Sequence, residues 1–281
     1  MSRLRDEQTS PEHDDLAMLA DALRKTMAAA SGQQLDNALK DLGWLEMLDE
    51  IPGTAIPLVF KLLGETGAHA PILNDVLSRE GDERSREEQP IQQAVPLPYA
   101  GGAWVVWRRT DETTSALDED LPLSRVPSGR PLPLARGRVA LGWWLVGTSR
   151  AMLSLARRHA LDRTQFGRPV ASFQAIRHKL AETLVAVEGA EATLAVADAD
   201  GHGDELTCLL AKAAAGHAAL TAARHCQQVL GGIGFTAEHE LHRHVRRVFV
   251  LDGLLGSTRE LTRQAGAELR SRGSTPRLVA L

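Results

Sequence analysis

The sequence has few of the features that would place it outside ordinary globular proteins. Only two cysteines occur in 281 residues, Cys208 and Cys226. They fall far apart along one predicted helix, so they cannot bridge and read as reduced structural thiols. No charge of one sign dominates. A net charge of -4 gives no electrostatic reason to expect nucleic acid or an anionic membrane as partner. No apolar run is long enough for a bilayer: the longest, Val139 to Val146, is about half of what a span requires. Met1 to Asp15 is polar and lacks the apolar core of a signal peptide. A cytoplasmic location without membrane attachment is the expectation. No internal repeat is visible.

What is present is a composition of 43% apolar and 24% charged residues, ordinary for one large domain or two small ones. The first part reads as short helices: Asp15 to Ala28, Leu35 to Leu48, and Ile56 through Leu63 to Gly67, each with leucines at helical spacing. Ser78 to Gln93 is crowded with charge and is expected to be a solvated loop. Gly101 to Arg108 contains the strand candidate Ala103-Trp104-Val105-Val106-Trp107. Thr110 to Gly137 is rich in proline without a sustained period, which predicts loops and short strands.

Beyond Arg138 the pattern is strongly helical. Helices are predicted over Arg138 to Leu161, Ser172 to Asp198, Asp204 to Val229, Glu238 to Val248 and Leu254 to Ser271. A turn at His202-Gly203-Asp204 separates the second from the third. Gly231-Gly232 is expected to end the third in a left-handed conformation. Long helices with short links pack as an antiparallel bundle. The resulting division is 1–92 helical, 93–137 strand and loop, 138–281 helical bundle.

Two stretches bracket the middle helices. One is Arg163-Thr164-Gln165-Phe166-Gly167-Arg168-Pro169-Val170 with Ser172-Phe173-Gln174-Ala175-Ile176. The other is Gln228-Val229-Leu230-Gly231-Gly232-Ile233-Gly234-Phe235. The second is no Rossmann fingerprint, because it follows a helix and lacks the spacing. In order and spacing the two resemble the flavin-binding signatures of the acyl-CoA dehydrogenase family, over roughly Arg138 to Leu269. The resemblance extends more weakly to Leu39 to Leu48 and to Leu62-Leu63-Gly64-Glu65-Thr66-Gly67.

That resemblance implies a mainly α, acyl-CoA dehydrogenase-like fold: a C-terminal antiparallel four-helix bundle, a shortened N-terminal helical region and a reduced middle β-region. It implies FAD as cofactor, contacted across a subunit interface by Arg163, Gln165, Phe166, Phe173, Gln174, Gln228, Gly231 and Gly232. Gln165 stands where the family usually has a small residue. The chemistry of these residue types agrees. An arginine fork matches phosphate oxygens, bare glycine backbone allows close approach, and a glutamine both donates and accepts. Taken singly, Arg163 reads as a surface salt-bridge residue and Gly231-Gly232 as a helix stop.

The family's reaction needs a carboxylate at the substrate α-carbon. In most members it is a glutamate before Gly-Thr or Gly-Ser at the start of the last helix. Here that place holds Leu255, before Gly256-Ser257. A minority carry the base at the start of the first bundle helix, where this chain has Gly137 before Arg138. Neither residue can take a proton, so no catalytic residue is assigned. Asp252 and Glu260 are not expected to substitute, Glu260 being expected to point to solvent. Family members are also longer, mainly in the N-terminal helices and the β-region.

The combination resembles the short subunits of α2β2 acyl-CoA dehydrogenases of actinobacterial steroid side-chain breakdown. It implies a partner subunit that supplies the glutamate, and an acyl-CoA substrate. A non-catalytic stabilising subunit and a flavin-dependent biosynthetic relative are the alternatives. His239, Glu240, His242 and His244 miss the zinc-protease spacing by one residue and read as solvated or salt-bridged. Arg243, Arg246 and Arg247 read as partners of interface acids or as a patch for CoA phosphates. Trp143 and Trp144 read as core or interface packing.

Overall fold

The computed structural model describes residues 11–80, 95–108, 118, 120–198 and 204–273. The turn expected at His202-Gly203 and most of the loop expected from Ser78 to Gln93 lie outside these residues.

The chain opens with α1 (Pro11–Ala29), α2 (Gly32–Asp41), α3 (Trp44–Glu50), α4 (Pro52–Thr66) and α5 (Leu73–Glu80). The single helix expected over Leu35 to Leu48 is two. Gly43 takes φ 83° and starts α3 on a new axis, a conformation glycine adopts without steric cost. Ser78 to Glu80, expected to be loop, form the last turn of α5. Their polar groups have partners there. The Ser78 hydroxyl donates to Asn74 O at 2.7 Å, and Arg79 Nε to Asp49 at 2.7 Å.

Three short antiparallel strands follow, β1 (Pro96–Tyr99), β2 (Ala103–Trp107) and β3 (Leu123–Val126), with Leu97 opposite Val105 and Val106 opposite Ser124. Then come α6 (Ala135–Asp162), a two-stranded hairpin β4 (Thr164–Gln165) and β5 (Arg168–Pro169), α7 (Gln174–Asp198), α8 (Glu205–Leu230), α9 (Leu241–Gly253) and α10 (Thr258–Arg272).

Cross-links fix the directions in the bundle. Arg150 of α6 reaches Glu188 and Glu191 of α7, and Thr183 of α7 lies 3.0 Å from His225 of α8. Arg138 at the start of α6 meets Glu205 at the start of α8, while Arg272 at the end of α10 lies beside Asp204. Hence α6 and α8 run up, and α7 and α10 run down: the antiparallel four-helix arrangement. A separate cluster of Leu206, Leu209, Ala213, Leu261 and Ala265 holds α10 to α8.

One hydrophobic core runs through helices, sheet and bundle. Its spine is aromatic. Trp44 meets Phe60 edge-on at 6.2 Å, Phe60 meets Trp144 at 5.8 Å, and Trp144 stacks on Trp107 at 5.6 Å. Such pairs contribute about 0.5–1.5 kcal/mol beyond their buried area. At the crossing of α4 and α6 the backbones touch. A Cβ on Gly64 would stand 2.4 Å from Trp144 O, and one on Gly147 2.0 Å from Lys61 O. By length and composition α8 and the turn after it could cross a membrane, but two-thirds of its most apolar window is buried in this core. Cys208 and Cys226 are both buried and unbridged, and burial pushes the Cys226 thiol up to about 12.

Candidate functional site

The two signature stretches come together at one end of the bundle, where α6 and α8 finish and α7 begins. Arg163 is the first residue past α6, its amide bonded to His159 O at 2.9 Å. Its side chain is exposed and pairs with no acid among the described residues. The chain then reverses through Phe166 (φ 53°) and Gly167 (φ 76°). Two successive positive φ values are what a two-residue hairpin turn requires, yet Phe166 is no glycine and its ring is 91% exposed. Gln165 lies opposite Arg168 in this hairpin and is exposed. Phe173 is half-buried. It carries the Arg168 guanidinium over its ring at 4.2 Å and the Phe166 ring edge-on at 6.1 Å. Gln174 is exposed at the first residue of α7, within 3.4 Å of His178.

From the other side, α8 delivers Gln228, exposed on its last turn, and then Gly231 and Gly232. Gly231 ends the helix, but with φ 67° and ψ -141° rather than the expected left-handed helical value. That region is open almost only to glycine. Added Cβ atoms at Gly231 and Gly232 would meet nothing within 4 Å, so both backbones can be approached closely from outside. Arg168 and His178 were not singled out in the sequence. The Arg168–Phe173 stack and the helical spacing of Gln174 and His178 are the signals that mark them.

At the opposite end of α6, Gly137 and Leu255, the two positions where the resemblance leads one to expect a base, are neighbours. Leu255 is 1% exposed and takes φ 56°. Its amide donates to Pro98 O at 2.8 Å, while Leu254 pairs with Tyr99. A Cβ on Gly137 would stand 2.5 Å from Leu77 Cδ2 and 2.9 Å from Leu255 Cδ1. Leucines thus fill this corner. Two buried basic side chains clamp the turn carrying Leu255. Arg138 Nε donates to Leu255 O at 3.4 Å, and Lys212 Nζ donates to Asp252 O at 2.6 Å and to Gly256 O. Burial pulls the Lys212 ammonium down to about 7. A neutral amine has two N–H groups, matching these two acceptors.

The acids around this corner are engaged. Glu260, expected to face solvent, closes a capping box with Ser257 and accepts the Gly101 amide at 2.8 Å. The Gly101 and Ser257 amides and the Ser257 hydroxyl hold its carboxyl down to about 2. Asp252 accepts the Thr258 amide at 3.1 Å. Glu80, passed over in the sequence, accepts the Arg136 amide at 2.9 Å on the first turn of α6. Burial raises its pKa, against the α6 amides that lower it. Of the basic patch, Arg247 is buried against Asp118 and donates to Ala68 O at 3.2 Å. His244 is half-buried, and its desolvation, with Arg247 beside it, brings it down to about 4.

Residues 132–269 match the acyl-CoA dehydrogenase C-terminal domain. This part of the chain belongs to the acyl-CoA dehydrogenase family. Acyl-CoA dehydrogenase FadE34 of Mycobacterium tuberculosis is 35% identical over 192 residues, which cover 62% of this chain and 27% of that protein. Acyl-CoA dehydrogenase IpdE2 of the same organism is 32% identical over 183 residues, 62% of this chain and 57% of that protein. The chain thus spans between about a quarter and somewhat over half of these relatives. Among solved structures, the Tcur3481-Tcur3483 steroid ACAD superposes with a TM-score of 0.73 at 19% identity, covering 92% of this chain and 98% of that one. The ChsE4-ChsE5 complex from Mycobacterium tuberculosis gives 0.69 at 18% identity, covering 97% and 100%. These two likenesses establish the acyl-CoA dehydrogenase fold for the chain.

Proposed function

We propose that this chain is a subunit of a FAD-dependent acyl-CoA dehydrogenase that lends its cofactor residues to a flavin seated in a partner, while the partner supplies the carboxylate base. One observation carries the reading. Gly137 and Arg163 stand at opposite ends of α6, on the order of 35–40 Å apart at a rise of about 1.5 Å per residue. The cofactor end and the base end of one chain therefore cannot meet in one active site. The cofactor end is open and polar, and the base end is packed shut.

The residues fit the cofactor. Arg163 is an exposed fork without an acid partner among the described residues, suited to phosphate oxygens. Gly231 and Gly232 leave backbone amides bare, and Gln228 can both donate and accept beside them. Phe173, Phe166 and Gln174 would pack and bond along the same edge, with Gln165 at its rim. Bound there, FAD would supply the acceptor for the hydride that leaves the acyl β-carbon. This chain's residues hold and orient the phosphate end, and the α-proton goes to the partner's carboxylate. The substrate is an acyl-CoA thioester. A steroid side-chain ester is the class suggested by the steroid ACAD among the structural neighbours.

Purification with the native partner tests this. One FAD per two chains is expected, and Arg163→Ala should release the flavin while leaving the complex assembled. Turnover of an acyl-CoA by a homo-oligomer of this chain alone would refute the reading. The packed Leu255 corner also suits a purely stabilising subunit, and retention of flavin by the intact Arg163→Ala complex would favour that role.

A further inference from the structure

The cofactor end of α6 opens on a cleft of about 390 Å³. Arg158, His159, Asp162 and Arg163 line it from the last turn of α6, and His239 and Glu240 from the segment before α9. Only Arg163 belongs to the signature stretches, so the cleft adds basic groups around the residue best suited to a phosphate.

The two imidazoles differ in their contacts. His239 Nδ1 accepts the Leu241 amide at 3.1 Å, so that nitrogen carries no proton and Nε2 is the free donor. His159 is pushed below the ordinary histidine value by burial, then by His239 and by Arg163, with Asp162 opposing them. Basic groups that repel one another across a cleft gain from an anion placed between them. Asp162 on α6 and Glu240 across from it are the only acids lining the cleft among the described residues, against Arg158, Arg163 and the two histidines.

We infer that His159 and His239 act with Arg163 as a phosphate clamp that takes up a proton as it closes on its ligand. The inference rests on the flavin reading above: the ligand is the pyrophosphate of the nucleotide cofactor. In the open cleft, burial and basic neighbours favour the neutral form of His159. A bound pyrophosphate reverses the local field and favours imidazolium beside it. Proton uptake on binding makes affinity rise as pH falls, by at most about tenfold per pH unit for each proton taken up. The cofactor end of this subunit therefore sets the pH range over which the complex keeps its flavin.

The test is flavin release from the purified holo-complex, followed by the rise in FAD fluorescence between pH 6 and pH 8. The unaltered complex should hold FAD several-fold more tightly at pH 6. The double variant His159→Gln with His239→Gln keeps hydrogen-bonding side chains that cannot titrate. It should bind more weakly at pH 6 and lose the slope, and each single variant should show part of the loss. Circular dichroism and the mass of the complex check that the variants are assembled. A flat profile for the unaltered complex, or an unchanged slope in an assembled double variant, would overturn the clamp. Failure of the flavin reading looks different: the Arg163→Ala complex would then keep its FAD at every pH.

Discussion

Leu255 Cδ1 lies 2.9 Å from the point where a Cβ on Gly137 would stand. These are the two positions at which the resemblance to acyl-CoA dehydrogenases leads one to look for a base, and the Leu255 side chain fills the space that a side chain at position 137 would take. The corner is closed as a unit, with Leu77 as the third member.

Putting the glutamate back should therefore not revive the chain. Leu255→Glu forces a carboxylate into the apolar space between Leu77 and Gly137, on the far side of the turn from the backbone carbonyls that Arg138 and Lys212 hold, and burying an ion costs on the order of several kcal/mol. A lower denaturation midpoint and no acyl-CoA oxidation by the isolated chain are expected. Wild-type stability together with turnover would show that the corner opens.

The crossing of α4 and α6 depends on glycine at two positions. Gly147→Ala drives a methyl into Lys61 O, and the obstacle is backbone that cannot rotate away. A loss of about 3 kcal/mol or more is expected. Gly189→Ala on the outer side of α7 meets nothing within 4 Å and should gain up to about 1 kcal/mol from helix propensity. Urea titration of the two variants compares them directly, and equal midpoints would contradict the close approach.

Lys212 predicts a rise in stability with pH. Its folded value of about 7 lies below the ordinary 10.5. Between these values the unfolded chain holds the proton and the folded chain does not, so stability grows as pH rises. Below pH 7 both states are protonated and the slope vanishes. Cys226 acts in the opposite direction above pH 9, because its folded value is about 12. Denaturant midpoints at pH 7 and pH 9 should show the gain, and Lys212→Met should abolish it. A slope that survives in the methionine variant would assign it elsewhere.

The capping box gives a smaller effect. Ser257→Ala removes the cap of α10 and should cost about 1 kcal/mol. Glu260→Gln weakens both that cap and the Gly101 contact, loosening the β1–β2 turn as well as the helix. Hydrogen exchange at Gly101 should accelerate in Glu260→Gln and stay nearly unchanged in Ser257→Ala.

The bundle was legible because its leucines and alanines recur at helical spacing over long stretches, and the signature stretches were legible because residue order survives folding. Periodicity assigns faces, not neighbours. It therefore carried Leu35 to Leu48 across the break at Gly43, where one backbone angle decides. It also missed α5 altogether, a short helix whose charged end draws its support from Asp49 and Arg136, residues remote in sequence. That Gly137 and Leu255 are empty of carboxylate could be read residue by residue. That they touch could not, since the contact exists only once the turn after α9 is seated on β1. Glu260 was assigned to solvent for the same reason: its acceptor role depends on an amide at Gly101.

The length of α6 makes its two tips independent. A side chain altered at Gly137 is felt by Leu77 and Leu255, and one altered at Arg163 by whatever occupies the cleft beside it, with most of the helix lying rigid and buried between. One tip can decay while the other stays intact.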